Sequence, residues 1–450
     1  MFRFMLIAFL LYYIMPTKFK NLTILLFSLA FYSWGEPKYF LIMVASIICD
    51  YFASQAIERN RGSKLICRLS LLFSIFFNIG MLMFFKYTNF FIENINAVTG
   101  LSMAFLKLTL PLGISFYTFQ TLSYTIDVYR GNVKAEDNII DFGAFVCLFP
   151  QLIAGPIVKY TDINRELKTR TVNLQQIEDG VRWFIIGLGK KVLIANNIGS
   201  LWDEVQRLGF DRVSSPLAWL GILAFSLQIY FDFSGYSLMA IGLGKMLGFD
   251  FPQNFNLPYI SRSMTEFWRR WHMTLGSWFR EYVYIPLGGN RKGKARMYIN
   301  LFIVWTLTGF WHGANWNFLL WGMFFAVLLI IEKAWLLKYL ERGKIWPHVY
   351  VIFLLLISWT LFAITDMSQL SLFFVKLFSF DGGTDWIYYL RSYFVTFVAA
   401  IFCSTPVIAK VYAKIQEVEW ADIGLLVVIM LVSVGYLVDA TYNPFLYFRF

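Results

Sequence analysis

Three histidines are the whole imidazole complement of the chain: His272 in FWRRWH, His312 in TGFWHGANW, and His348 after Trp346-Pro347. A buried imidazole kept neutral by desolvation can take a hydroxyl proton as that oxygen attacks an acyl carbonyl. His312 lies inside an apolar stretch, where an ionisable group is costly to retain. Gly309 and Gly313 flank it and let another backbone or a ligand come close, so a general-base role outweighs simple helix gluing. For His272, a catalytic role and mere orientation of its neighbours stand level, and His348 reads as a loop residue. Asp232, in YFDFSGY, sits in an apolar run. It could orient a histidine or bind a counter-cation, but structural pairing with a nearby arginine is slightly favoured. Asn315 and Asn317 follow His312 closely and could polarise a carbonyl or cap that turn. The last residues, YNPFLYFRF (442–450), are aromatic throughout. They read as an interface anchor or as a tail that presents Tyr447 as a hydroxyl nucleophile.

Other chemistries find little support. His272 and His312 are 40 positions apart, and HExxH or paired Cys/His spacing is missing, so no metal is expected. GxSxG, Walker A and dinucleotide fingerprints are also missing in usable context. Gly187-Leu188-Gly189-Lys190-Lys191 lacks phosphate-loop spacing and reads as helix packing. Cys49, Cys67, Cys147 and Cys403 lie singly in apolar segments, as small buried hydrophobes do.

The elements that must position these residues follow from composition. Of 450 residues 58% are hydrophobic and 15% charged, against about 25% charged in soluble domains. A soluble globular enzyme, a disordered chain and a disulfide scaffold are excluded. Apolar runs fall near 2–15, 21–34, 38–57, 65–85, 104–126, 139–158, 181–199, 216–244, 297–312, 316–335, 348–364, 390–412 and 422–438. The first resembles a secretory signal but has no small-residue cleavage site, so a retained span is expected. No period-two alternation suggests a barrel, and only helices otherwise satisfy their backbone in lipid. The fold class is therefore all-α, a polytopic bundle of about 11–13 spans with re-entrant or interfacial helices. No linker or repeat divides it, so a single domain over 1–450 is expected. The net charge of +11 fits cytoplasmic loops that collect Lys and Arg, and nucleic acid is not an expected partner.

Segment 249–296 is too polar to span and too aromatic for an ordinary loop, with eight basic residues against three acids. Ser263 to Glu266 has capping-box spacing, and the pattern predicts one helix from Ser263 to Tyr284. Met264, Trp268, Trp271, His272, Leu275, Phe279 and Tyr282 share one face; Arg269, Arg270, Ser277, Arg280 and Glu281 share the other. Such a helix can lie in the interface plane with its basic side toward water or phosphate.

Several stretches resemble the membrane-bound O-acyltransferase family, in its bacterial branch of alginate O-acetyltransferases. They are LPLGISFYTFQTLSYTIDVYRG (110–131), FPQLIAGPIVKY (149–160), FDFSGYS (231–237), FPQNFNLPYISRSMTEFWRRWHMTLGSWFREYVYIPLGGNRKG (251–293) and FWHGANWNFLLWG (310–322). The resemblance implies a helical ring with a central tunnel and a motif core at about 110–335. It makes His312 the essential histidine and His272 the second motif histidine. Asp232, Trp268, Arg269, Trp271, Arg280, Arg291, Trp311 and Asn315 are then expected around the donor site or tunnel. One departure is Leu238, where the branch commonly has an acid after SGYS. The tail is similar to that of the small peptide partnering the related D-alanine transferase, which makes Tyr447 a candidate acyl carrier. The implied donor is acetyl-CoA or another acyl thioester, from CoA or an acyl carrier protein, with no cofactor bound. The implied partners are the lipid bilayer, an SGNH-type O-acetyltransferase and an extracytoplasmic glycan acceptor such as alginate, peptidoglycan or an exopolysaccharide. The implied location is the bacterial inner membrane. D-alanyl transfer to teichoic acid and a transporter or flippase of lipid-linked sugars are the alternatives; the transporter class lacks its usual internal repeat here.

Overall fold

A computed structural model describes residues 2–152 and 155–439. The aromatic tail with Tyr447 lies outside the described residues. Within them all regular structure is helical. Seven helices are long and apolar enough to cross a membrane: Phe40–Arg59, Lys64–Thr99, Ser215–Met246, Trp316–Arg342, Trp346–Ala363, Asp385–Cys403 and Glu419–Asp439. This is a multi-pass helical membrane protein. Fewer runs make long spans than the apolar pattern alone predicts, because prolines and glycines divide several of them. Run 104–126 begins as irregular chain through Pro111 and Gly113 and becomes the helix Ile114–Arg130. Run 139–158 yields only Ile139–Cys147, which stops short of Pro150.

The chain forms two compact units. In the first (Met1–Val181 with Ala240–Pro252), three helices enclose a buried polar centre. The Asp50 carboxylate on Phe40–Arg59 accepts from Ser74 Oγ, from Asn78 Nδ2 at 2.7 Å and from Thr125 Oγ1 at 2.9 Å. Charged side chains also cluster within this unit. Lys168 Nζ bridges Glu136 at 2.6 Å and Asp141 at 2.7 Å, and Arg170 Nε donates to Tyr12 Oη at 2.9 Å.

The second unit (Arg182–Met239 with Gln253–Phe450) holds all three histidines. Its core is aromatic, with Trp202, Phe225, Phe231, Trp271, Trp321, Phe325 and Trp359 buried together. The glycines at 187–189 act in helix packing as expected: a Cβ at Gly187 would lie 2.6 Å from the Gly235 carbonyl oxygen. Beside this crossing Lys191 Nζ meets Asp232 Oδ1 at 2.5 Å, so Asp232 is ion-paired, with a lysine. Helices Gly293–His312 and Trp316–Ile331 form a tight hairpin. A π-helical turn, Glu332–Leu336, follows it and buries the Glu332 carboxylate completely. That carboxylate accepts from the backbone N–H groups of Met264 (2.6 Å) and Thr265 (2.8 Å), the first turn of the helix Met264–Arg270. A negative group at a helix N-terminus satisfies free N–H donors and complements the dipole.

The single helix expected from Ser263 to Tyr284 is in fact three pieces. Met264–Arg270 and Met273–Phe279 are α-helices, and Arg280–Tyr284 is a π turn. Ser263 does cap the first piece, accepting from Glu266 N at 3.0 Å, while Glu266 reaches back to Arg262 N at 2.9 Å. The break has a local cause. Asn256 N donates to the Arg270 carbonyl and Met273 N to the Asn254 carbonyl, both at 2.9 Å, so the 254–256 segment takes over bonds a continuous helix would have made.

Candidate active site

His312 is the last residue of the helix Gly293–His312 and is 7% exposed. Two glycines set its position. A Cβ on Gly309 would lie 2.3 Å from the Phe318 carbonyl oxygen, and one on Gly322 would lie 2.3 Å from that of Trp305. The hairpin can close only because both positions lack side chains. It brings the His312 ring to 4.9 Å from Trp321, 5.0 Å from Trp311 and 5.3 Å from Phe362, centre to centre.

His272 occupies the break between helices with φ 43° and ψ 54°, a left-handed conformation. Such a backbone costs a non-glycine residue about 1–3 kcal/mol and persists only where its surroundings over-determine it. Here Phe233 packs edge-on at 4.7 Å, and Trp311 lies 6.4 Å away. Trp311 thus neighbours both imidazoles, and residues 40 apart in sequence share one aromatic cluster. Burial pushes the His272 imidazole down to about 3, so it is neutral at physiological pH.

Against His272 lies a cavity of about 610 Å³, within the roughly 300–1,000 Å³ range of small-molecule sites. Along the hairpin its wall is Leu301, Val304, Trp305 and Thr308. These are the i, i+3, i+4 and i+7 positions of one helical stripe, and His312 is the next position on it. Arg269, Arg280 and Lys333 also line the cavity, and among the described residues no carboxylate does. The arrangement suits an anionic ligand whose apolar part runs beside His272 toward the turn that carries His312.

Comparison with known proteins gives this chemistry a family. The sequence profile described as MBOAT, membrane-bound O-acyltransferase family, matches residues 136–362. A probable alginate O-acetylase of Azotobacter vinelandii is 39% identical over 380 residues, covering 83% of this chain and 76% of that one. A peptidoglycan O-acetyltransferase of Helicobacter pylori is 38% identical over 369 residues, covering 74% and 69%. A teichoic acid D-alanyltransferase of Streptococcus thermophilus is more distant, 31% identical over 245 residues and covering 50% and 58%. The chain belongs to the membrane-bound O-acyltransferase family. It is an O-acyltransferase, which decides the question between enzyme and transporter that the residues alone left open.

Within this acyltransferase the expected site residues separate into groups. Trp268, Arg269, His272 and Arg280 line the cavity together. Trp311 and His312 are not in its lining; they join His272 through the aromatic cluster, Trp311 at 6.4 Å from His272 and 5.0 Å from His312. Trp271 instead stacks in the core, 5.5 Å from Phe267 and 4.9 Å from Trp359. Asp232 is engaged with Lys191. Arg291 and Asn315 are exposed and outside the cavity wall. Asn317, fully buried, donates to the Leu361 carbonyl at 3.0 Å and ties the hairpin to the next helix. His348 is part of the helix Trp346–Ala363 rather than a loop, with Nδ1 3.2 Å from the Ser261 carbonyl. The described residues contain no cluster that could hold a metal ion. Sequence reasoning missed Lys333, which lies within the π turn Glu332–Leu336, and Thr308, which was legible as the residue one turn before His312. It also missed Asn254, whose side-chain oxygen lies 3.0 Å from His272 Nδ1; no local pattern marks that pairing.

Proposed function

We propose that this enzyme takes an acetyl group from a cytoplasmic thioester, acetyl-CoA, and passes it toward an extracytoplasmic polysaccharide hydroxyl from the bacterial inner membrane. The observation that carries the reading is the cavity beside His272, bordered among the described residues by three cations and no carboxylate. Guanidinium and ammonium groups there would hold the donor's phosphates. The thioester end would lie toward the buried aromatic cluster. His312 would then act as general base. It takes the acceptor hydroxyl proton as that oxygen attacks the thioester carbonyl, the C–S bond breaks, and the departing thiolate recovers the proton from the imidazolium. The first acceptor would be either a glycan hydroxyl or Tyr447, which would carry the acetyl group as an aryl ester. An SGNH-type partner on the far side would complete transfer to the sugar.

The names of the relatives support acetyl over other acyl groups, since those covering most of this chain are O-acetylating enzymes. The test uses purified protein in lipid nanodiscs with acetyl-labelled CoA. Acetyl transfer or slow hydrolysis is expected, and His312→Ala should abolish it with thermal unfolding unchanged. Retained turnover in that variant removes the base role. Label held on the wild-type chain but lost in Tyr447→Phe would support the carrier, whereas equal turnover and no bound label would reduce the tail to an anchor. Transfer from an alanyl carrier protein, with none from acetyl-CoA, would redirect the reading to D-alanylation.

A further inference from the structure

Two buried nitrogens of cavity-lining residues have no hydrogen-bond partner among the described residues: His272 Nε2 and Trp268 Nε1. The indole nitrogen can only donate. What the imidazole nitrogen can do depends on its tautomer, and the surroundings of Asn254 decide that. Asn254 is 1% exposed. Its side-chain oxygen receives the backbone N–H of Thr274 at 3.3 Å and the Thr274 hydroxyl at 2.9 Å. Its amide nitrogen donates to Ser237 Oγ at 3.1 Å. A backbone N–H has no acceptor capacity, so the amide cannot be turned the other way without setting two donors against each other. The atom 3.0 Å from His272 Nδ1 is therefore an oxygen, and Nδ1 must carry the proton. In the neutral ring Nε2 then presents a lone pair. Asn254 also holds the turn through its backbone carbonyl, which accepts from Met273 N.

We propose that Asn254 is a positioning residue that locks His272 as the Nδ1–H tautomer, so that Nε2 accepts a hydrogen bond from an amide N–H on the pantetheine arm of the thioester donor. The complement is specific. Trp268 offers a donor and His272 an acceptor in the lining of one cavity, a pair that two successive secondary amides can meet with the C=O of one and the N–H of the other. Pantetheine carries such amides between its phosphate end and its sulfur, whether attached to CoA or to a carrier protein. The charged groups His272 meets across the cavity, Arg269, Arg280 and Lys333, are all cationic and also disfavour a second ring proton. His272 thus recognises the donor while His312 moves the proton. This assignment rests on the acyl-thioester reading, but its first readout does not.

The experiment is nitrogen-15 magnetic resonance of histidine-labelled protein in bilayers, where three histidines give an assignable spectrum and His272→Gln identifies one of them. Wild type should show His272 with Nδ1 protonated and Nε2 bare near neutral pH, and a non-hydrolysable acetyl-CoA analogue should shift the Nε2 signal. Asn254→Asp places a carboxylate at Nδ1 and should give a doubly protonated ring, with KM for acetyl-CoA raised about tenfold and kcat less affected. His272→Gln, with its amide oxygen near the Nε2 position, should hold KM within about threefold of wild type, whereas His272→Ala should not. A protonated Nε2 in wild type overturns the tautomer assignment. An Nε2 signal unmoved by bound analogue, or an unchanged KM in His272→Ala, overturns the amide contact. If no thioester is turned over at all, the proposed function fails while the tautomer is still read from the unliganded spectrum.

Discussion

Gly309→Ala separates catalytic geometry from stability, because the contact it disturbs lies one turn from His312. The added methyl would sit 2.3 Å from the Phe318 carbonyl oxygen and 3.1 Å from Gly322 Cα, where ordinary contacts need about 3.5–4.0 Å. The hairpin must open by about 1 Å to admit it. Overpacking of this kind costs about 1–3 kcal/mol, and replacing a helical glycine returns about 1 kcal/mol of that. The net loss of stability is therefore small. The site responds more strongly, since a 1 Å misplacement of a reacting group can cost about 100-fold in rate. The expected outcome is acetyl transfer reduced about 100-fold, with the thermal midpoint in nanodiscs lowered only slightly. Gly80→Ala is the control: nothing lies within 4 Å of its Cβ position, so activity should be unchanged and the midpoint level or higher. A Gly309→Ala enzyme within twofold of wild-type rate would refute the claim that this crossing sets the position of His312.

Three further outcomes follow from the same unit. Arg280→Gln and Lys333→Met should each raise KM for acetyl-CoA about tenfold, the worth of a charge-assisted hydrogen bond, with kcat held; steady-state kinetics showing no change in KM would detach these cations from the donor. Asp232→Asn removes the carboxylate charge facing the largely buried Lys191 ammonium and should cost up to about 3–5 kcal/mol, while Asp232→Asn with Lys191→Met should recover most of it; thermal unfolding without that recovery would show the ion pair is not the cause. The His272 imidazole is held near 3 by burial, below an unfolded value of about 6.5. Between those values the unfolded chain binds the extra proton. The stability it contributes is therefore complete above about pH 6.5 and lost as pH falls toward 3. His272→Gln should flatten the acid side of the midpoint-against-pH curve, and an unchanged slope would refute this.

What could be read from the residues beforehand was whatever local pattern encodes. Hydropathy gave the helical, multi-pass character, and the glycines around His312 marked a close approach. The segment 249–296 shows where such reading stops. Its spacing satisfies a 3.6-residue period from Ser263 to Tyr284, yet the chain breaks at His272 because Asn254 and Asn256 supply competing backbone bonds from outside the period. Periodicity reports which side chains could share a face, not whether another strand of chain will claim the helix's own N–H groups. Trp271 and Trp268 make the same point. Both are aromatic residues on one predicted face, but only Trp268 reaches the cavity, and Trp271 is sealed against Trp359. Both precede the break, and Trp271 still donates to the Phe267 carbonyl at 2.8 Å, so it is packing from other elements that separates them.

The division of polarity across this unit bears on why a thioester should survive there long enough to be transferred. Every charged residue that lines the cavity is a cation, whereas the rings within about 5 Å of His312 are tryptophan and phenylalanine. Trp321 and Trp359 are 1% exposed, and Phe362 2%. On the proposed reaction the donor's charge is held where counter-charges are, and its reactive carbonyl enters a region walled by aromatic rings. Low polarity there keeps the imidazole in its neutral, proton-accepting form, and the exclusion of water denies a competing nucleophile the same activation. A polar pocket around His312 would hold the thioester no better, since the phosphates already anchor it, and would admit water as a competing nucleophile. The aromatic cluster therefore acts on the outcome of the reaction, transfer over hydrolysis, more than on affinity for the donor.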